Sequence, residues 1–234
     1  MATETPATNM TERLIEAGAH FAQAKSRRHP SMKRFVLGSK NKIDLIDLSE
    51  TQELLDAALA ATKRYGAEGK TVLFVGGKQE VVSPVRNAAE ALNMPYVAGR
   101  WLGGTLTNFS EIKKRIARLV ELRQMRESGE LEKKYTKLER LMLSREETRL
   151  EERFGGLVGM DKLPDALVVV DTRAEDIAVA EAKGLSIPVF GIMSSDCNLA
   201  DATYPMVVND ASVRTVKLVL GEIVAQYRAG RDGS

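Results

Sequence analysis

Three short aliphatic runs bounded by turn residues punctuate the chain: Thr71–Val75 (TVLFV), Ala166–Val170 (ALVVV) and Ile187–Ile192 (IPVFGI). None alternates apolar with polar residues, which is the signature of strands buried on both faces, as in parallel sheets. Met94–Ala98 and Met206–Val208 are shorter candidates. Helical periodicity fills the gaps at Ser49–Tyr65, Lys78–Leu92, Ala174–Lys183 ending at Gly184, and Ala211–Tyr227. Ser49 with Gln52 three residues on reads as a capping box. Strand–helix alternation of this kind predicts right-handed crossovers and a three-layer α/β/α parallel sheet. Before it, Arg34–Leu37, a Gly38–Asn41 turn and Ile43–Leu48 suggest a small hairpin leading into the sheet.

From Ser110 to Arg153 the strand signal stops, proline is absent and both charge signs are dense. Ile112, Ile116 and Leu119 follow 4-3 spacing; Leu131, Tyr135, Leu138 and Met142 follow 4-3-4. The Glu127–Glu130 break separates them, so the segment predicts an antiparallel helical hairpin inserted into the α/β domain. The expected organisation is therefore a flexible extension over 1–9, an α/β domain over 10–109 and 154–228, a hairpin over 110–153, and a flexible tail over 229–234.

With 234 residues, 44% hydrophobic, the chain is long enough for a core without metal or disulfide support. Its one cysteine, Cys197, excludes an internal disulfide and suits a reducing cytosol. No run approaches the roughly 20 apolar residues of a membrane span. The polar N-terminus lacks signal-peptide regions.

Charge distribution says more than the net charge of +2. Between Ala17 and Ile43 no acid occurs, yet Lys25, Arg27, Arg28, Lys33, Arg34, Lys40 and Lys42 do, interleaved with His29, Phe21, Phe35 and small polar residues. Cations for phosphates, hydroxyls and amides for hydrogen bonds, and rings for stacking compose a polyanion contact. A second basic run, Lys113, Lys114, Arg115 and Arg118, follows the segment Arg100–Phe109 (RWLGGTLTNF), which holds the sole tryptophan, Trp101. That segment has helix-capping Asn108 and a glycine pair but no nucleophile, base or ligand, and reads as a docking and turning element. Val75-Gly76-Gly77-Lys78 could offer backbone amides to a phosphate at a helix start. It fails the phosphate-loop pattern, with Val72 where glycine is needed and Gln79 after the lysine. Asp171 and Ser194–Asp196 follow strands, where open sheets place ligands, but both also suit ordinary caps and turns. His20 and His29 are too few to make a metal site.

Several segments together resemble a known family. They are Glu16–Phe21, Arg27–Lys33, Ile43–Leu48, Thr71–Lys78, Arg100–Phe109, Leu163–Ala166 and Ile177–Ala182. In order, over roughly residues 10 to 228, they are similar to the second protein of the bacterial-type small ribosomal subunit. The resemblance implies a flavodoxin-like or Rossmann-like domain with a protruding helical hairpin. It further implies a non-enzymatic structural role in the cytoplasmic ribosome, without cofactor, metal or small-molecule substrate. The implied partners are small-subunit rRNA and neighbouring ribosomal proteins, including the large multi-OB first protein. The implied RNA-facing set comprises the cations Lys25, Arg27, Arg28, Lys33, Arg34, Lys40, Lys42, Arg100, Lys113, Lys114, Arg115 and Arg118, with His29, Trp101 and Asn108. The alternative is a nucleotide- or phosphate-binding enzyme or sensor using Gly76–Lys78. The chain departs from the family pattern at Ala22-Gln23, where Gly-His is usual, and over Ser194–Leu199.

Overall fold

The computed structural model of the protein describes residues 10–233; the expected extension over 1–9 lies outside them. A short helix, α1 (Met10–Glu16), precedes three strands, β1 (Phe21–Ala24), β2 (Val36–Lys40) and β3 (Ile43–Ile46). These form a separate antiparallel sheet in the order β1-β3-β2, rather than a hairpin joined to the main sheet. The turn sits at Asn41-Lys42, not Gly38–Asn41. Both residues take left-handed φ values of 52° and 66°, as a two-residue hairpin turn matched to strand twist requires. Gly38 and Ser39 are thereby drawn into β2.

Asp47, not Ser49, caps the next helix, accepting from Ser49 N at 3.0 Å and Glu50 N at 3.4 Å. Helix α2 consequently starts at Leu48 and runs to Ala67. The α/β alternation follows: β4 (Val72–Val75), α3 (Val82–Leu92), β5 (Tyr96–Val97), then the insertion α4 (Phe109–Glu127), α5 (Glu130–Lys134) and α6 (Lys137–Phe154). It resumes with β6 (Ala166–Val170), α7 (Asp176–Gly184), β7 (Val189–Met193), β8 (Tyr204–Val207) and α8 (Val213–Asp232). The five strands are parallel in the order β5-β4-β6-β7-β8, giving the expected Rossmann-like α/β fold.

Alternation along each strand divides the core into two layers. Phe74, Val168, Phe190 and Met206 face α2, α3 and α8. Leu73, Val75, Leu167 and Val169 face α7 and the first turns of α4, whose Ile112, Ile116 and Leu119 are buried there. The base of the insertion is thus half of one helical layer. Phe154, at the end of α6, returns to this same cluster.

The second seam does not form as spaced. Leu131 is buried, but Leu138 and Met142 are 64% and 60% exposed. Thr136 starts a new helix with a full capping box to Glu139, which resets the register. The inward positions of α6 become Leu143, Glu147, Leu150 and Phe154.

The flexible tail predicted from 229 is instead helical through Asp232. Gly66 and Gly230 let α8 lie against α2. A Cβ at Gly230 would stand 1.9 Å from Lys63 O, and one at Gly66 2.0 Å from Tyr227 O. Tight helix crossing therefore carries α8 through to Asp232.

Candidate nucleic-acid interface

The small antiparallel lobe gathers the acid-free segment onto one surface. Lys25, Arg27, Lys33, Arg34, Lys40 and Lys42 all lie at its surface. Among the described residues no ion pair engages Lys25, Arg27, Lys33, Lys40 or Lys42, and the Arg34 guanidinium lies 4.3 Å above the Phe35 ring. The lobe is docked on the C-terminal edge of the parallel sheet through His29 N to Ser195 O (2.8 Å), Leu199 N to Ser31 Oγ (3.0 Å) and Asn209 Nδ2 to Gly18 O (3.0 Å).

Two residues of the predicted set are turned inward. Arg28 donates through Nε and Nη2 to the two oxygens of Asp44, both at 2.5 Å, and through Nη2 to Ser39 Oγ at 3.0 Å. Asp44 is fully buried, so Arg28 neutralises a core charge and is not a free cation. Those hydrogen bonds, first the one from Arg28, hold the Asp44 carboxyl below the usual carboxylate range against the opposing effect of burial. His29 uses Nδ1 to accept from Ser31 N at 3.3 Å, capping the 3₁₀ turn from Pro30.

The Trp101 segment is organised by a residue the sequence did not single out. Glu181, on the buried face of α7, accepts from Trp101 Nε1 (3.0 Å) and Gly104 N (2.8 Å) on one oxygen. Its other oxygen accepts from Leu106 N, Thr107 N and Thr107 Oγ1, all at 3.0 Å. Gly104 sits at φ 91°, a conformation that suits glycine and turns the amides toward the carboxylate. Burial would raise the Glu181 carboxyl, but the donors from Thr107, Trp101, Gly104 and Leu106 outweigh it and hold it below the usual range. Trp101 is only 6% exposed. It is a packing residue, buried against the sheet. Arg100 beside it is exposed, as is Asn108, which stands at the N-cap of α4 without a capping side-chain bond.

The second basic run is only partly free. Lys113 Nζ donates to Asp161 O at 3.0 Å, Lys114 pairs with Glu111 at 2.6 Å, and Arg118 bridges Glu121 and Glu146 at 2.8 and 3.2 Å. Arg115 is exposed.

The crevice at the C-terminal ends of β4 and β6 is where this fold class places ligands. It encloses about 400 Å³ beside Gly77, Lys78, Arg100 and Glu175. Two of its anion-binding groups, the Gly77 amide and the Lys78 ammonium, are already engaged by the protein, while Arg100 is exposed. Gly77 N donates to Glu175 Oε1 at 2.8 Å, and Lys78 Nζ pairs with Asp171 and lies 3.6 Å from Asp210. A Cβ at Gly77 would stand 2.5 Å from Glu175 Oε1 and 2.9 Å from Gly99 O, so the glycine serves chain packing. Lys78 and Gly77 are also held out of α3, which starts at Val82 rather than Lys78. These contacts oppose the phosphate-site reading of Gly76–Lys78.

Around Lys78 the titrations are displaced. Burial, then the neighbouring Asp171, pushes the Asp210 carboxyl up to about 7, with Lys78 opposing. Burial, with Asp171 and Asp210, pushes the Cys197 thiol up to about 12. Burial would lower Lys78, but Asp210 and Asp171 outweigh it and raise it. Asp171, Cys197 and Asp210 bring ligating atoms within 4.8 Å of one another. The Lys78 ammonium pairs with Asp171 of this trio and lies 3.6 Å from Asp210, and neither histidine belongs to it. No helix among the described residues is long and apolar enough to cross a membrane.

Comparison with known proteins agrees with this architecture. The family model described as Ribosomal protein S2 matches residues 14–230. The small ribosomal subunit protein uS2 of Coprothermobacter proteolyticus is 42% identical over 222 residues, covering 95% of this chain and 82% of its own. That of Salinibacter ruber is 40% identical over 219 residues, covering 94% and 68%. Matched by the family model and by these relatives over nearly its whole length, the protein belongs to the ribosomal protein S2 family.

Proposed function

We propose that the chain is an rRNA-binding structural constituent of the small ribosomal subunit, working on the ribosome in the cytoplasm and acting through its surface rather than through catalysis. The observation that carries this reading is the lobe of exposed, unpaired cations: Lys25, Arg27, Lys33, Lys40 and Lys42, joined by Arg34. Arg100, Asn108, Lys113, Lys114 and Arg115 add contacts at the base of the hairpin. Arg28, Trp101 and Arg118 support this surface through polar groups already bonded within the chain, and His29 caps the 3₁₀ turn through Nδ1. Phosphate contacts would fix orientation without reading sequence.

The same lobe exposes Phe21, Leu37 and Ile43 at 49%, 73% and 43%. Large apolar side chains on a basic surface suit a protein neighbour, and this patch supports the docking of an adjacent ribosomal protein, the large multi-OB first protein being the expected one.

Titration of small-subunit rRNA binding against salt tests the reading. Each lost phosphate contact lowers the logarithmic salt slope by about 0.7–0.9. Replacing Arg27, Lys33, Arg34 and Lys42 with glutamine should therefore lower it by about 3. An unchanged slope would refute the role of this surface, and failure of the native chain to co-sediment with small subunits would refute the ribosomal role.

A further inference from the structure

Charge is sorted across the hairpin. Three acids of α6 are consumed by arginines of α4: Glu146 by Arg118 at 3.2 Å, Glu147 by Arg126 at 2.6 Å and Glu151 by Arg123 at 2.5 Å. The arginines of α6 itself have no such partners. Among the described residues no ion pair engages Arg145 or Arg149; Arg149 Nε instead donates to the Arg145 carbonyl at 3.2 Å. The outer face of this helix thus presents Arg145 and Arg149 without acidic partners among the described residues, with Glu152 one turn beyond them.

That face is also apolar at one end. Leu138, Leu141 and Met142 are 64%, 47% and 60% exposed. With Arg145 and Arg149 they fall at i, i+3, i+4, i+7 and i+11, one stripe of the helix. Ser144 and Thr148 flank the stripe at exposed positions. Leu138, Leu141 and Met142 have neither the donors nor the ring faces with which proteins hold nucleotides. An amphipathic helix laid along such a stripe buries them at its own i, i+3 and i+4 positions.

We propose that the outer face of α6 is the docking site for an amphipathic helix of a neighbouring polypeptide in the small subunit. Its apolar positions cover Leu138, Leu141 and Met142, and Asp or Glu one to two turns along pair with Arg145 and Arg149. The proposal rests on the ribosomal reading and adds the kind of partner and the place it binds.

Full-length chain carrying Met142→p-benzoylphenylalanine, incorporated into small subunits and irradiated, tests it. The expected product is a crosslink to one protein, in a peptide with apolar residues at helical spacing and acids a turn or two away. Adding Arg145→Glu and Arg149→Glu should cut its yield at least tenfold while the chain's abundance in subunits and its melting temperature stay the same. A crosslink to rRNA or to a second copy of this chain, no crosslink in subunits that contain it, or a yield indifferent to the charge reversal would overturn the proposal. A chain that never enters the subunit would instead refute the ribosomal reading, and this proposal with it.

Discussion

Replacing Glu181 with alanine removes a carboxylate that receives five hydrogen bonds from one loop. The donors are not equally hurt by its loss. Trp101 and Leu106 are 6% and 2% exposed, so their N–H groups lose a partner that water cannot replace. Gly104 and Thr107 are nearer the surface and can rehydrate. Two stranded buried donors at about 1–3 kcal/mol each give about 2–6 kcal/mol for Glu181→Ala. At roughly 2–4 °C per kcal/mol for a chain of this size, a mid-range loss of about 4 kcal/mol lowers the melting temperature by roughly 8–16 °C. Glu181→Gln keeps the shape but turns an NH₂ toward donors on one side, so its loss should be smaller than that of alanine and still measurable. Because Trp101 is the only tryptophan, its emission reports the loop directly, and Glu181→Ala should shift it to the red before global unfolding. A double-mutant cycle with Trp101→Phe should return a coupling of about 1.5–3 kcal/mol, the range for a hydrogen bond to a charged group. Additive losses, or a Glu181→Ala loss under about 1 kcal/mol by denaturant titration, would refute the claim that this carboxylate organises the hairpin base. The sign with pH is also fixed. A carboxyl held below its ordinary range stabilises the fold above that range, and this contribution is lost as pH falls through the depressed native value; Glu181→Gln should remove that part of the acid sensitivity.

Three further outcomes are expected. Arg28→Ala should cost about 3–5 kcal/mol by leaving buried Asp44 unpaired, yet leave the salt slope of RNA binding unchanged, which separates it from Lys33 and Arg34 in paired denaturation and binding titrations. Gly230→Ala, whose Cβ would meet Lys63 O at 1.9 Å, should lower stability by at least about 1–3 kcal/mol, whereas the same change at Gly221, where a Cβ meets nothing within 4 Å, should not, as thermal unfolding of the two would show. Asp210, raised to about 7 in the native state, favours folding in its neutral form, so its contribution is greatest below the ordinary aspartate range and is lost as pH rises toward 7. Asp210→Asn should flatten that segment of the stability–pH curve, and a curve identical to the unmutated protein's would contradict a raised Asp210.

The parallel sheet was legible because burial on both faces leaves unbroken aliphatic runs, which turn residues bound on either side. Strand β1 was not, since Phe21-Ala22-Gln23-Ala24 is too short to show a period. The misread seam of α6 had a visible corrective: Thr136 with Glu139 is itself a capping box, and a cap resets helical phase whatever spacing precedes it. The basic lobe was readable from the acid-free stretch, but which cations are free was not. Arg28 is distinguished only by Asp44, 16 residues away across the hairpin. Glu181 left one trace, an acid at i+3 from Ala178 on the apolar face of a helix. Its role depended on donors 74 to 80 residues earlier, a separation that local pattern does not span.

That separation also sets an order of events as the chain leaves its own ribosome. Thr107 emerges 74 residues before Glu181, and the whole of α4 to α6 is made in between. At about 5–20 residues per second the interval lasts roughly 4–15 s, far longer than the sub-microsecond to microsecond relaxation of a helix. The hairpin and its packing partners on β4 and β6 therefore have time to form before the carboxylate that gathers the Trp101 loop has been made. A stalled nascent chain ending before residue 181 would carry the complete hairpin with the amides of its entry loop still without their common acceptor.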